Sequence, residues 1–121
     1  MAKHNLDGQK GEALAKSFLI EKGYEILDEN WTFGKAEVDI IALINNTIVF
    51  IEVKARSGDF FGKPEEFVDA KKQKNLSNAA EEYVYVVDHK GEMRFDIISI
   101  LFKKDFESYQ IEHIEDAFWN Y

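Results

Sequence analysis

Glu37-Val38-Asp39-Ile40-Ile41-Ala42-Leu43-Ile44 is followed, after Asn45-Asn46, by Thr47-Ile48-Val49-Phe50-Ile51-Glu52-Val53-Lys54. Both runs are rich in β-branched residues and apolar at consecutive positions. Each therefore buries both of its faces, as strands do in the middle of a sheet covered on two sides. Asn tolerates the positive φ of a two-residue turn, so the runs close on each other as an antiparallel hairpin. With a symmetric turn, cross-strand partners carry numbers that sum to 91. Ile44 then faces Thr47, Asp39 faces Glu52, and Glu37 faces Lys54. Two-residue spacing returns to the same face, so all four charged side chains project from one side.

That placement is costly without a use. Directly opposed residues have Cβ atoms about 4.5–5.5 Å apart, and opposed like charges destabilise a sheet. Carboxylates in an apolar strand cost more still unless paired or bound to a cation. Two carboxylates converging on one point suit a hard divalent ion such as Mg²⁺ or Mn²⁺. Lys54, two residues beyond Glu52, returns to that face and can hold a water or balance charge on a phosphate. The set fits cation-assisted phosphodiester hydrolysis. A plainer reading also stands, in which Lys54 neutralises Glu37 or Glu52 as the strands emerge into solvent.

Outward from the hairpin, the spacing predicts a helix over residues 5–22. Asn5 or Asp7 can cap it, Gly23 can end it, and Leu14, Phe18 and Leu19 form its apolar stripe. A strand follows over residues 24–33, with Tyr24, Ile26 and Trp31 turned inward. After a loop through Ser57, Gly58 and Gly62, Pro64 suits the first turn of a second helix. That helix carries Leu76, Ala79, Ala80, Tyr83 and Val84 at helical spacing. Residues 93–102 form a fourth strand and residues 109–114 a fifth. The class is α/β, a mixed sheet of about five strands flanked by helices in the order α-β-β-β-α-β-β.

Residues 1–121 suit a single domain, and 45% hydrophobic content with ten Phe supplies a core. Cys is absent, which excludes disulfides and thiolate metal sites. No apolar run approaches the ~20 residues of a membrane span, and Met1-Ala2-Lys3-His4-Asn5 leads into no signal-peptide region, so the expected compartment is the cytoplasm. Net charge is −8, which argues against a general nucleic-acid binder. The charge is uneven, however: residues 54–74 hold six Lys/Arg against four Asp/Glu. A polyanion would meet the chain there. The acids of the tail, Asp105, Glu107, Glu112, Glu115 and Asp116, read as a solubilising surface.

The pattern Glu37-Val38-Asp39-Ile40-Ile41-Ala42 with Val49-Phe50-Ile51-Glu52-Val53-Lys54-Ala55-Arg56 resembles the PD-(D/E)xK nucleases. It is most similar to the small bacterial YraN family, related to archaeal Holliday-junction resolvases. The likeness covers nearly the whole chain: Gly8, Gly11-Glu12 and Ala15 in the opening helix, Gly23-Tyr24 at its exit, and Asn30. Further on it includes Phe61-Gly62, Lys72-Gln73, Ala79-Ala80, Tyr83, Phe95-Asp96, His113-Ile114 and Ala117-Phe118.

The resemblance implies a restriction-endonuclease-like fold acting on nucleic acid, DNA before RNA, with branched or damaged DNA as a candidate substrate. It implies Asp39 and Glu52 as ligands of Mg²⁺ or Mn²⁺ together with the Val53 carbonyl, and Lys54 as the catalytic lysine. Glu12 corresponds to the acid that related resolvases bring to the metal from the first helix, and Lys72 would lie over the site from the second. Two positions depart from the family pattern. Ala36 stands where Gly is usual, and Thr32 where Arg is usual, and both losses bear on substrate grip. Resolvase-like relatives also imply a two-fold homodimer.

Several residues admit two uses. Glu12 could pair with Lys16 one turn on. Gly8 and Gly11 either delay the helix start or let backbone approach a phosphate. Lys71, Lys72 and Lys74 read first as a solvated helix face, whereas Arg56 is the better phosphate ligand because guanidinium binds bidentately. Phe60 and Phe61 either stack on a base or fold into the core. His4, His89 and His113 stand isolated, with no partner at ligand spacing. Two rivals to the nuclease reading remain: a non-catalytic nucleic-acid-binding module on the same fold, and a protein-interaction domain using the acidic tail with Phe118-Trp119.

Overall fold

The computed structural model describes residues 6–57, 68–103 and 108–118, without the side chains of Leu6 and Asp7. The elements run α1 (Leu6–Glu21), β1 (Glu25–Phe33), β2 (Ala36–Ile44), β3 (Thr47–Ser57), α2 (Ala70–Val86), β4 (Glu92–Phe102) and β5 (Tyr109–Ile114). This is the α/β order expected from the sequence. Phe60, Phe61, Pro64 and Trp119 lie outside the described residues. None of the described helices is long and apolar enough to cross a membrane.

The turn at Asn45-Asn46 forms as its chemistry predicts, with φ of 47° and 61°. The hairpin register also holds: Ile44 pairs with Thr47, and the sum of 91 persists to Ile40↔Ile51. Gly23, at φ 96°, stops α1, and the Gly23 and Tyr24 amides donate to the Ile20 and Leu19 carbonyls at 3.0 Å each. Helix α2 is capped by Asp69, whose side chain accepts from the Lys72 amide at 2.8 Å. The apolar spacing of α2 located the helix, but its start signal is this aspartate.

The five strands lie in sequence order, β1-β2-β3-β4-β5. β3 and β4 are parallel, which requires the crossover through α2, and the other neighbours are antiparallel. Alternate residues of β3 feed two separate cores. Ile48 and Phe50 pack with Leu76, Ala79, Ala80 and Tyr83 of α2. Val49 and Ile51 pack with Ala15 and Leu19 of α1. The helices therefore cover opposite faces, and the central strands are buried on both sides as their composition demands.

Helix α1 approaches β3 closely because of Gly11, where an added Cβ would fall 2.5 Å from the Ala55 Cβ. Close packing settles the role of that glycine. Gly11→Ala is expected to cost about 1–3 kcal/mol by overpacking, read as a lowered urea midpoint. An unchanged midpoint would show that α1 can ride outward freely.

Candidate functional site

The site lies where the sheet comes apart. β1 stays paired with β2 as far as Phe33↔Ala36, and β4 stays paired with β3 as far as Ser57↔Phe102. Pairing between β2 and β3, however, ends at Ile40↔Ile51. The next residues on each side are Asp39 and Glu52, so the two carboxylates mark the point of a fork. The expected opposition of Asp39 to Glu52 and of Glu37 to Lys54 does not continue as ladder pairs. The strands part instead, and the side chains converge on the space between them.

Asp39 occupies the fork with a specific bond. The Val53 N–H donates to Asp39 Oδ2 at 2.8 Å. An amide that would otherwise lack a strand partner is thus satisfied by a side chain. β2 also kinks here: Val38 packs on the α2 face while Ile40 packs on the α1 face, although two-residue spacing should keep them together. On β1, Asn30 falls between Glu29, which pairs with Ile40, and Trp31, which pairs with Val38. Asn30 takes φ 52°, so both strands depart from regular geometry at this level.

The fork opens into a cleft of about 420 Å³. Glu12 from α1, Glu37 and Asp39 from β2, Glu52, Lys54 and Arg56 from β3, and Lys72 from α2 all line it. Lys35, Gly8, Val53 and Ala55 complete the wall. Every residue assigned to the site from sequence is therefore brought to one place, although four elements supply them. Lys16 forms its ion pair with Glu29, at 2.8 Å, while Glu12 lies in the cleft. Lys72 leaves the solvated face of α2, where Lys71 and Lys74 are exposed, and its Nζ lies 2.7 Å from Glu52 Oε2.

The electrostatics are strained in a particular direction. Burial pushes the Asp39 carboxyl up, the charge of Glu52 pushes it further, and Glu12 and Glu37 add to that against the Val53 amide, reaching about 8. Lys54 moves the opposite way: burial lowers it, and the positive charges of Lys72 and Arg56 lower it further. A carboxyl pushed toward its protonated form beside three other acids, near a lysine pushed toward its neutral form, is what burial and crowded like charges produce together.

The donor set fits a hard cation. Asp39 and Glu52 offer carboxylate oxygens and Val53 a backbone carbonyl, and among the described residues no sulfur or imidazole lines the cleft. Among the described residues no group of three or more His, Cys, Asp or Glu is gathered for a metal. A cation in this cleft would then keep several waters, as Mg²⁺ habitually does.

A second polar cluster escaped the sequence reading. Asp96 of β4 is the only buried charged residue among those described, at 0% exposure. Arg94 grips it with Nε and Nη2, both at 2.9 Å, and the Asp116 amide donates at 3.0 Å. Nε2 of His113 lies 2.7 Å from Asp96 Oδ2, and Nδ1 lies 3.0 Å from Lys22 Nζ. His113 is therefore not isolated: it joins Asp96 to the end of α1. Burial opposes ionisation of Asp96, yet hydrogen bonds from His113, Arg94 and the Asp116 amide hold its carboxyl below the ordinary value. The available signal was an acid inside the apolar run Phe95-Asp96-Ile97-Ile98. This cluster joins the α1 exit to β4 and β5 and shares no residue with the cleft.

Residues 11–100 match the model of an uncharacterised protein family, UPF0102. A UPF0102 protein of Flavobacterium psychrophilum is 49% identical over 100% of each chain. One from Christiangramia forsetii is 48% identical over 98% of each chain, and one from Flavobacterium johnsoniae 42% identical over 100% of each. With a family model spanning most of its length and full-length relatives at this identity, the chain belongs to UPF0102, the YraN family that its central strands resemble.

Proposed function

We propose that the chain is a Mg²⁺- or Mn²⁺-dependent nuclease that hydrolyses phosphodiester bonds of DNA. One observation carries the reading. Asp39 and Glu52 converge at the fork between β2 and β3, beside Lys54, with Asp39 driven up to about 8 by burial and neighbouring acids. Such a pair is destabilising alone and favourable around a doubly charged ion.

Asp39, Glu52 and the Val53 carbonyl would hold the cation. When bound, the cation supplies Lewis-acid activation of water and charge compensation on the phosphate. The chain's own groups do the rest. Lys54 orients the attacking water and exchanges a proton at Nζ, which burial and the charges of Lys72 and Arg56 make easier to release than an ordinary lysine's. Arg56, on the same cleft wall, takes the phosphate bidentately. Glu12 lines the cleft from α1, and its charge acts on Asp39. Attack is in line with the departing sugar oxygen.

A second reading has specific support. Thr32 in place of an arginine favours a module on the same fold that has lost cleavage and keeps only nucleic-acid binding. One experiment decides between the two. Linear, single-stranded and four-way-junction DNA are incubated with Mg²⁺ or Mn²⁺ at low salt, and both mobility shift and cleavage are scored. The nuclease yields product only with the cation. A salt-sensitive shift without product supports the binding module, and neither signal turns attention to a protein partner.

A further inference from the structure

The carboxylate assigned to the cation already has a cation beside it. Lys72 stands in the first turn of α2, and its ammonium reaches Glu52 at 2.7 Å. The Glu52 side chain is 11% exposed and that of Lys72 38%, so the contact lies at the inner end of a solvent-facing arm. Among the described residues four acids and four bases line the cleft. A divalent ion entering at Asp39 and Glu52 adds two positive charges beside those bases. An ammonium at contact distance from a ligating oxygen would face like charge across a few ångströms of poorly screened space. The two compete for the charge of Glu52.

The structure also offers the displaced side chain somewhere to go. Lys72 lines a second groove of about 240 Å³ that adjoins the cleft and is bounded by Lys35, Lys71, Asn75 and Leu76. Glu37 and Asp69 line it too, so an ammonium turning that way meets carboxylates rather than only its own kind. Asp69 holds the Lys72 backbone through the helix cap, which anchors the residue while its side chain moves.

Resting on the reading of the cleft as a cation site, we infer that Lys72 is a built-in counter-cation for Glu52. Divalent-ion binding is then an exchange: the ion enters as the Lys72 ammonium leaves for the neighbouring groove. The unloaded site stays electrically satisfied, and its affinity for the ion is held down by the lysine it must displace.

The test is a calorimetric Mn²⁺ titration at neutral pH, without DNA, on the full chain. Lys72→Met keeps the length and removes the charge, and Lys72→Arg keeps the charge. Lys72→Met is expected to bind Mn²⁺ about five- to tenfold more tightly than wild type, the scale of one part-buried ion pair. Lys72→Arg should stay near wild type, and Lys72→Met should give no gain in a Glu52→Gln background. Equal or weaker Mn²⁺ binding by Lys72→Met, with wild type binding normally, overturns the exchange and leaves the nuclease reading standing. No Mn²⁺ binding by any variant overturns both.

Discussion

Asp39→Asn is expected to give a protein more stable than wild type at alkaline pH and inert as a nuclease. The folded chain raises the Asp39 carboxyl from 3.8 to about 8. Between those values the folded state holds a proton that the unfolded state has released. Stability from this group is therefore complete below the unfolded value and declines as pH rises through the folded one. Asn carries no charge to desolvate, and its carbonyl can still accept from the Val53 amide. At pH 5 the variant and wild type should unfold at similar urea concentrations. At pH 9, without divalent ions, the variant should lead by about 2–4 kcal/mol, less than the full shift implies at ~1.4 kcal/mol per unit because an open cleft is partly screened. Mn²⁺ should raise the stability of wild type and not of the variant. Cation-dependent cleavage should fall by about 10³-fold or more, the scale of losing a principal electrostatic element of a site. Cleavage at the wild-type rate would remove Asp39 from the chemistry.

The second large effect belongs to Asp96. Asp96→Ala leaves the part-buried Arg94 and the buried His113 ring around a missing partner, and the loss should be about 3–5 kcal/mol. Adding Arg94→Met should recover part of it, because the unpaired guanidinium goes too. Since the folded Asp96 carboxyl is held below its ordinary value, the cluster's contribution is present above the unfolded value and disappears as pH falls through the folded one. Acid unfolding of wild type should therefore begin below about pH 4, and Asp96→Ala should show a flatter profile there. A loss under about 1 kcal/mol, the scale of an exposed ion pair, would mean that water replaces the carboxylate without cost.

What the sequence made readable and what it hid divide along physical lines. The central hairpin was legible because its signals are local: β-branched runs, an Asn-Asn turn, and a period of two. Glu12 and Lys72 reached the site through family likeness. Their neighbours in the chain say only that they sit on helices. The fork was not legible. In a two-strand view the register simply continues, whereas in the sheet it ends where β1 still holds β2 and β4 still holds β3. The Asp96 cluster was hidden for a similar reason. Its side chains come from β4, β5 and the end of α1, so no spacing along the chain announces them. Asp69 was passed over because Pro64 offered an earlier start signal.

The partition of β3 has a consequence for the order of folding. Among the described residues, 47–51 have a strand on both flanks, whereas 52–57, which carry Glu52, Lys54 and Arg56, have β4 as their sole strand partner. A nascent polypeptide can close the hairpin early, since its contacts are near in sequence. The half of that strand that lines the cleft takes its place only when the segment ending at Phe102 is available to pair with it. The cleft is therefore a late product of folding, formed after the hairpin whose end it occupies.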